Sequence, residues 1–290
     1  MSAPRRDLAS FARAVEALRP YLEDLVFIGG WAHFLYTRRP EAVPLGFEPL
    51  FTEDADIAAP LGLPVRSRPI PELLAAAGFE PRLSGEHRPP IAEYVLGDDD
   101  SGFYIEFLAP LFGGEHKRGG RPDVTTSVGG VSAQKLRHLD LLLLAPLTVK
   151  LSKAMGFPVS RPARIRIANP ASYIAQKVLT LSKRHPSSAP KDVLYVHDTF
   201  ATFADSLSVM RKDWAAIQPC LIPAHVRRFE RQAASLMAGV NDLIRGAVRI
   251  AADRERSPSP ENMLAGLRRG FSEAFGLDGP VRSAPRGTSR

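Results

Sequence analysis

The chain has 290 residues, 44% hydrophobic and 24% charged, the composition of a globular protein with room for one large domain or two modest ones. No apolar run reaches the ~20 residues of a membrane helix, and a single cysteine, Cys220, excludes an internal disulfide framework or a Cys-based zinc site. The net charge of +7 and pI near 9.7 favour polyanionic partners such as nucleotide phosphates, RNA or DNA, though a solvated basic surface has the same composition.

The start, MSAPRRDLAS, has basic residues with no apolar segment behind them, so a secretory leader is not expected and a reducing cytoplasm is. Leu8, Phe11, Ala12, Val15 and Leu18 recur at helical spacing and predict a helix over Asp7–Leu18. Leu25–Ile28 reads as a short strand, followed by Gly29-Gly30 and a helical Trp31–Tyr36. After a polar loop, Thr52–Ala58 predicts a second strand, and Pro71–Ala77 a helix closed by Gly78. Phe79–Leu83, Ile91–Leu96 and Phe103–Leu108 read as strands, the last two joined by the turn Gly97–Gly102. Leu139–Val149 reads as a buried strand, even with Asp140 and Pro146 in it. From Pro170 the pattern is helical: Ala171–Lys183, Pro190–Leu207, Ala224–Ile250 and Pro260–Phe275. The expected fold is α/β (α+β): a mixed-sheet core over residues 1–168, a helical half over 169–278 and a disordered basic tail over 279–290.

Three short segments carry candidate chemistry. Two glycines at a strand-to-helix turn, Gly29 and Gly30, let backbone N–H groups approach a phosphate at a helix N-terminus, although a tight turn without ligand has the same sequence. In a strand, Asp54 and Asp56 share one face with Thr52 beside them. Side-by-side acids repel, and a divalent cation such as Mg²⁺ relieves that repulsion. Glu106 is a single acid in the apolar strand Phe103–Leu108, and burying it is costly unless it is paired or bound to metal. If its strand lies near Thr52–Ala58, three carboxylates converge.

In this order the segments resemble the polymerase-beta-type nucleotidyltransferases. The second half extends the likeness. Lys177 and Arg184 share a helical face in ASYIAQKVLTLSKR, and Lys191-Asp192 opens the next helix, KDVLYVHDTF. This looks like the AbiEii/AbiGii-type toxin nucleotidyltransferases and related uncharacterised proteins of that fold, over roughly Val26 to Phe203. Departures are Gly29-Gly30 where Gly-Ser is common, Glu106 where many relatives have Asp, and Asp198 later than a Lys-Asp-x-x-Asp spacing would place it.

The resemblance implies Mg²⁺ (or Mn²⁺) on Asp54, Asp56 and Glu106, and an NTP held by Gly29, Gly30, Thr52, Lys177 and Arg184. It implies transfer of NMP to an acceptor hydroxyl, RNA such as the tRNA 3′ end or alternatively protein. A toxin of this class implies a cognate antitoxin as partner. A catalytically idle fold that binds nucleic acid or protein, and a metal-dependent nuclease, are the rival readings. Between the candidate last acids, the apolar stripe Val193, Val196, Phe200, Phe203 and Leu207 puts Asp192 at the edge of the interior and Asp198 toward water. Lys117–Pro170 holds ten Lys/Arg against Asp123 and Asp140, and Arg161, Arg164 and Arg166 alternate as an RNA-facing row would.

Overall fold

The computed structural model describes residues 3–50, 52–85, 89–97, 102–114, 116, 120 and 122–278. The tail from 279 and most of the Gly97–Gly102 turn lie outside the described residues. The chain forms two compact units, Met1–Pro40 with Glu48–Gln176, and Glu41–Phe47 with Lys177–Arg290.

The first unit contains α1 (Ala3–Ala17), β1 (Val26–Phe27), α2 (Gly29–Tyr36), β2 (Asp54–Ala58) and α3 (Ile70–Ala76). It continues with β3 (Phe79–Ser84), β4 (Ile91–Leu96), β5 (Tyr104–Pro110), β6 (Thr125–Val128), β7 (Val131–Leu136), β8 (Leu147–Leu151) and β9 (Ala163–Ile167). These strands make one mixed sheet in the order β3-β4-β5-β2-β1-β9-β8, with β7 beside β5 and β6 beside β7. β2 runs parallel to β5 and antiparallel to β1, and β1 runs parallel to β9. One sheet face is apolar. Phe27, Ala55, Ile57, Ile105, Phe107, Ile165 and Ile167 all point to it and are buried. The predicted stripe of α1 buries Phe11, Ala12, Val15 and Leu18, and Phe11 stacks on Trp31 of α2 with ring centroids 3.8 Å apart.

Several elements differ from expectation, two of them in the sheet. Leu139–Val149 is not one strand. Leu139–Leu143 winds as a 3₁₀ turn that buries Leu139, Leu141 and Leu142, and β8 starts only at Leu147. Ala145 at φ 43° and Pro146, which has no N–H to give a ladder, separate the two. The β6–β7 hairpin was not anticipated; its turn, Gly129-Gly130, takes positive φ at both residues, which the favoured two-residue hairpin turn requires.

The expected boundary at 168/169 also moves. α4 (Pro170–Thr180) begins in the first unit, where Tyr173 packs edge-on to Tyr36 and the Tyr36 hydroxyl donates to the Ala168 carbonyl at 2.8 Å. The second unit holds α5 (Ala189–Thr202), α6 (Leu207–Ile217), α7 (Pro223–Met237), α8 (Asp242–Ala252) and α9 (Pro260–Phe275). The long helix expected over Ala224–Ile250 is therefore two helices, α8 being started by Asn241, whose side chain accepts from the Ile244 N–H. α5 is buried on nearly every side, with α8 and α9 packed against it. Gly246 lets α8 approach Pro190, and Gly270 lets α9 approach Phe200.

At Gly270 an added Cβ would lie 2.2 Å from the Phe200 ring. Alanine is the better helix former by ~1 kcal/mol, but overpacking costs ~1–3 kcal/mol. Gly270→Ala is expected to lower the melting temperature; a rise would show that the helix contact is loose.

Candidate active site

The β1–α2 turn and β2 fit together at two glycines. Ile28 is extended, and its N–H donates to the Asp56 carbonyl at 2.9 Å. Gly29 then takes φ +61° and the helix starts at once, with no side chain capping it. A Cβ on Gly29 would sit 2.1 Å from the Asp56 Oδ2, and one on Gly30 2.1 Å from the Thr52 Oγ1. Both glycines are thus demanded by the side chains of the Asp-x-Asp segment. The Thr52 hydroxyl is buried here with no hydrogen-bond partner.

Strand register assembles the acids. Asp54 pairs with Tyr104 and Asp56 with Glu106 across β2–β5, and Glu106 pairs with Glu93 across β4–β5. Cross-strand partners share a face, so Asp54, Asp56, Glu106 and Glu93 all lie on the face opposite the apolar core. Asp54, Asp56 and Glu106 are half-buried. Burial, then the charges of Glu93 and Asp54 and a hydrogen bond with Glu93, push the Glu106 carboxyl up to about 7. The Tyr104 hydroxyl is raised by burial and by Asp54, Glu106, Asp56 and Glu93 in turn.

Glu93 was missed in the sequence. It is the lone acid of Ile91–Leu96, as Glu106 is of its own strand, and pairing the two strands of the hairpin would have brought them together. Its Oε2 accepts two bonds from Arg82, at 2.6 and 2.9 Å. Among the described residues, no three His, Cys, Asp or Glu side chains are gathered closely enough to hold an ion. The structure thus places Asp54, Asp56 and Glu106 on one face without closing them into a ligand cage.

In the helical unit, Lys177 and Arg184 converge on Asp192. Lys177 Nζ donates to Asp192 Oδ1 at 2.6 Å, and Arg184 Nε to Oδ2 at 2.7 Å. Lys177 also stands 4.7 Å from the centre of the Tyr195 ring. Lys177 and Asp192 are buried, whereas the Arg184 side chain is 45% exposed. Burial acts to raise the Asp192 carboxyl, but Lys177 and Arg184 together hold it below its usual range.

Asp198 overturns its expected exposure to water. It is fully buried, and Arg256 donates to both its oxygens at 2.7 Å. The helical wheel assumed one buried stripe, but α5 is the central helix of its unit and has no solvent side.

The arginine row is shorter than expected. Arg164 and Arg166 share a face of β9, while Arg161 precedes the strand and its carbonyl accepts from Arg19. Lys150 of β8 pairs in register with Arg164. Tracing the register through Val26 to Ala58 puts Lys150, Arg164 and Arg166 on the sheet face of the acids.

A glycine turn against an Asp-x-Asp strand, with an acid on the parallel neighbour, has a counterpart among known families. A model of the family described as Nucleotidyltransferase matches residues 6–217. The chain belongs to the nucleotidyltransferase family. Two solved structures are similar to this nucleotidyltransferase. A proposed nucleotidyltransferase from H. pylori is 12% identical, with 96% of this chain and 97% of that one covered and a TM-score of 0.42. The nucleotidyltransferase toxin MenT4 from Mycobacterium tuberculosis is 16% identical, with 91% and 94% covered and a TM-score of 0.24. Neither adds weight to the family match. Among curated proteins none matches significantly. No helix among the described residues is long and apolar enough to cross a membrane.

The burial of Glu106 among other acids has a pH signature in metal-free enzyme. Its carboxyl is raised from an ordinary 4.5 to about 7, so between those values the folded chain holds a proton that the unfolded chain has lost. Stability is therefore greatest near pH 4.5 from this group and falls as pH rises to about 7. In EDTA, Glu106→Gln should stabilise the protein at pH 8 and lose that advantage toward pH 4.5, read from melting temperatures. An advantage equal at both pH values would show that the Glu106 carboxyl is not raised in the folded chain.

Proposed function

We propose that this nucleotidyltransferase moves NMP from an NTP to an RNA hydroxyl, such as the tRNA 3′ end, with Mg²⁺ (or Mn²⁺) at Asp54, Asp56 and Glu106. The observation that carries this is the contact of the Asp-x-Asp strand with the uncapped, glycine-built start of α2. The donor set suits a hard cation: oxygen ligands only, on one face, where burial first and the neighbouring acids second raise Glu106 and Tyr104. A bound divalent ion would supply the charge that offsets the phosphoryl oxygens.

The chain's own groups do the rest. The first N–H groups of α2 and its positive dipole end face phosphate oxygens, and the unpartnered Thr52 hydroxyl adds a donor beside them. The motif order in the sequence is what proposes Lys177 and Arg184 as phosphate ligands; within their own unit Asp192 holds both cations in place. Asp192 acts here by position, its carboxyl held ionised by two partners. The acceptor hydroxyl oxygen bonds to the α-phosphorus as the bond to pyrophosphate breaks. In this reading the Glu106 carboxylate, on the face of the Asp-x-Asp pair, receives the hydroxyl proton. A toxin role with an adjacent antitoxin rests on the order of motifs in the sequence.

Incubation with each labelled NTP, Mg²⁺ and total RNA tests the reaction. Label should enter RNA with release of pyrophosphate, and Asp56→Asn should lose more than the ~10–100-fold typical of outer-shell partners while keeping its melting temperature. Shortened RNA without label would point to hydrolysis instead.

The acceptor's path is proposed along Lys150, Arg164 and Arg166. Among the described residues no carboxylate pairs with Lys150 or Arg164, and Arg166 donates only to the Glu23 carbonyl. Lys150→Ala with Arg164→Ala should weaken RNA binding and reduce the slope of log affinity against log salt by roughly 1–2, with NTP affinity unchanged. An unaltered slope removes these residues from the RNA path.

A further inference from the structure

The chain has six tyrosines. The Tyr21 hydroxyl donates to the Arg68 carbonyl and the Tyr36 hydroxyl to that of Ala168. The Tyr94 ring meets Phe107 edge-on, Tyr173 meets Tyr36 in the same way, and Tyr195 faces the ammonium groups of Lys177 and Lys191. Tyr104 differs from all of these. Among the described residues no ring packs on it and its hydroxyl makes no hydrogen bond. Tyrosines drawn out of water usually find one or the other.

Register sets where this ring stands. Tyr104 lies level with Asp54 across β2–β5 and two residues before Glu106, so it is on the face of the acids. Across β4–β5 it pairs with Val95, and alternation puts Ile91 on that face too. Tyr104, Val95 and Ile91 are all half-buried, so an apolar shelf borders Asp54, Glu106 and Glu93 within one sheet. Such a shelf has nothing to offer a phosphate. It suits the flat, uncharged part of a nucleotide, because base–aromatic stacking needs only a ring face.

Strand order decides which nucleotide. The sheet runs β4-β5-β2-β1-β9-β8. The start of α2, proposed above for the triphosphate, follows β1 on one side of β2. The row proposed for the RNA, Lys150, Arg164 and Arg166, lies beyond β1 in β8 and β9. Tyr104 lies on the other side of β2. An NTP with its triphosphate at the start of α2 and its α-phosphate over the Asp-x-Asp strand directs its nucleoside toward β5 and β4. We propose that Tyr104 is the stacking platform for the base of the incoming NTP, with Val95 and Ile91 as the apolar surface beside it. Stacking reads a ring face and not a hydrogen-bond pattern, so the platform by itself discriminates weakly among NTPs. The inference rests on the proposed NTP site and names its nucleoside end.

The test is calorimetric titration of the full chain in Mg²⁺ without RNA, comparing ATP, GTP, CTP and UTP with inorganic tripolyphosphate, which has no nucleoside. The unmutated chain should bind NTP more tightly than tripolyphosphate. Tyr104→Ala, and Tyr104→Leu which keeps apolar bulk without the ring face, should weaken NTP binding about tenfold. Both should leave tripolyphosphate affinity unchanged, which also shows that they are folded. Tyr104→Phe keeps the ring and should bind NTP as the unmutated chain does. NTP affinity untouched by alanine overturns the platform, as does an equal loss for tripolyphosphate. So does RNA affinity that falls while NTP affinity holds, which would give the ring to the acceptor. If the unmutated chain binds neither NTP nor tripolyphosphate, the proposed function fails and takes the platform with it; if it binds both equally tightly, the platform alone fails.

Discussion

The contact of Gly29-Gly30 with the side chains of Asp56 in β2 and of Thr52 just before it is the constraint on which the site depends. Asp56 and Thr52 come so near the α2 backbone that any side chain at either glycine would overlap them. That closeness sets a carboxylate and a hydroxyl beside the start of α2, which no side chain caps. The same hydrogen bond that ends β1, from Ile28 to the Asp56 carbonyl, fixes the strand's height against the turn. Glycine serves two ends at this point: a left-handed turn at Gly29, and the space for an acid to reach a helix terminus.

Charge is handled oppositely in the two units. On the sheet face, Asp54, Asp56, Glu106 and Glu93 are brought together by register, and burial together with this crowding raises the Glu106 carboxyl to about 7. Arg82 answers Glu93 at the strand beside the edge, away from the Asp-x-Asp pair. A face that keeps like charges unrelieved is suited to a ligand that brings positive charge. In the helical unit every buried charge is matched: Asp192 by Lys177 and Arg184, Asp198 by Arg256. Removing one member of such a pair leaves the other buried and unpaired, which is why these residues order their surroundings.

α5 carries both matched acids because it is the central helix of its unit. Its first turn presents Asp192 to the cations on and after α4, and two turns later Asp198 meets the arginine that follows α8.

Much of the first unit was legible from the sequence alone. Alternation in Phe103–Leu108 placed Glu106 opposite Ile105 and Phe107, and the same parity placed Asp54 with Asp56, since a strand's period of two leaves no other arrangement. The glycine pair and the order of motifs were enough to indicate the family. What the sequence could not decide is which strands become neighbours and which helices are surrounded. Glu93 joined the acids only through the β4–β5 register, and Lys150 joined the arginines only through β8–β9. Asp198 has the sequence context of a solvent-facing residue; its partner lies 58 positions away, and only the packing of α8 and α9 around α5 brings it there. Local periodicity fixes the direction in which a side chain points, whereas the residue it meets depends on contacts distant in sequence, and those exist only once the chain has folded.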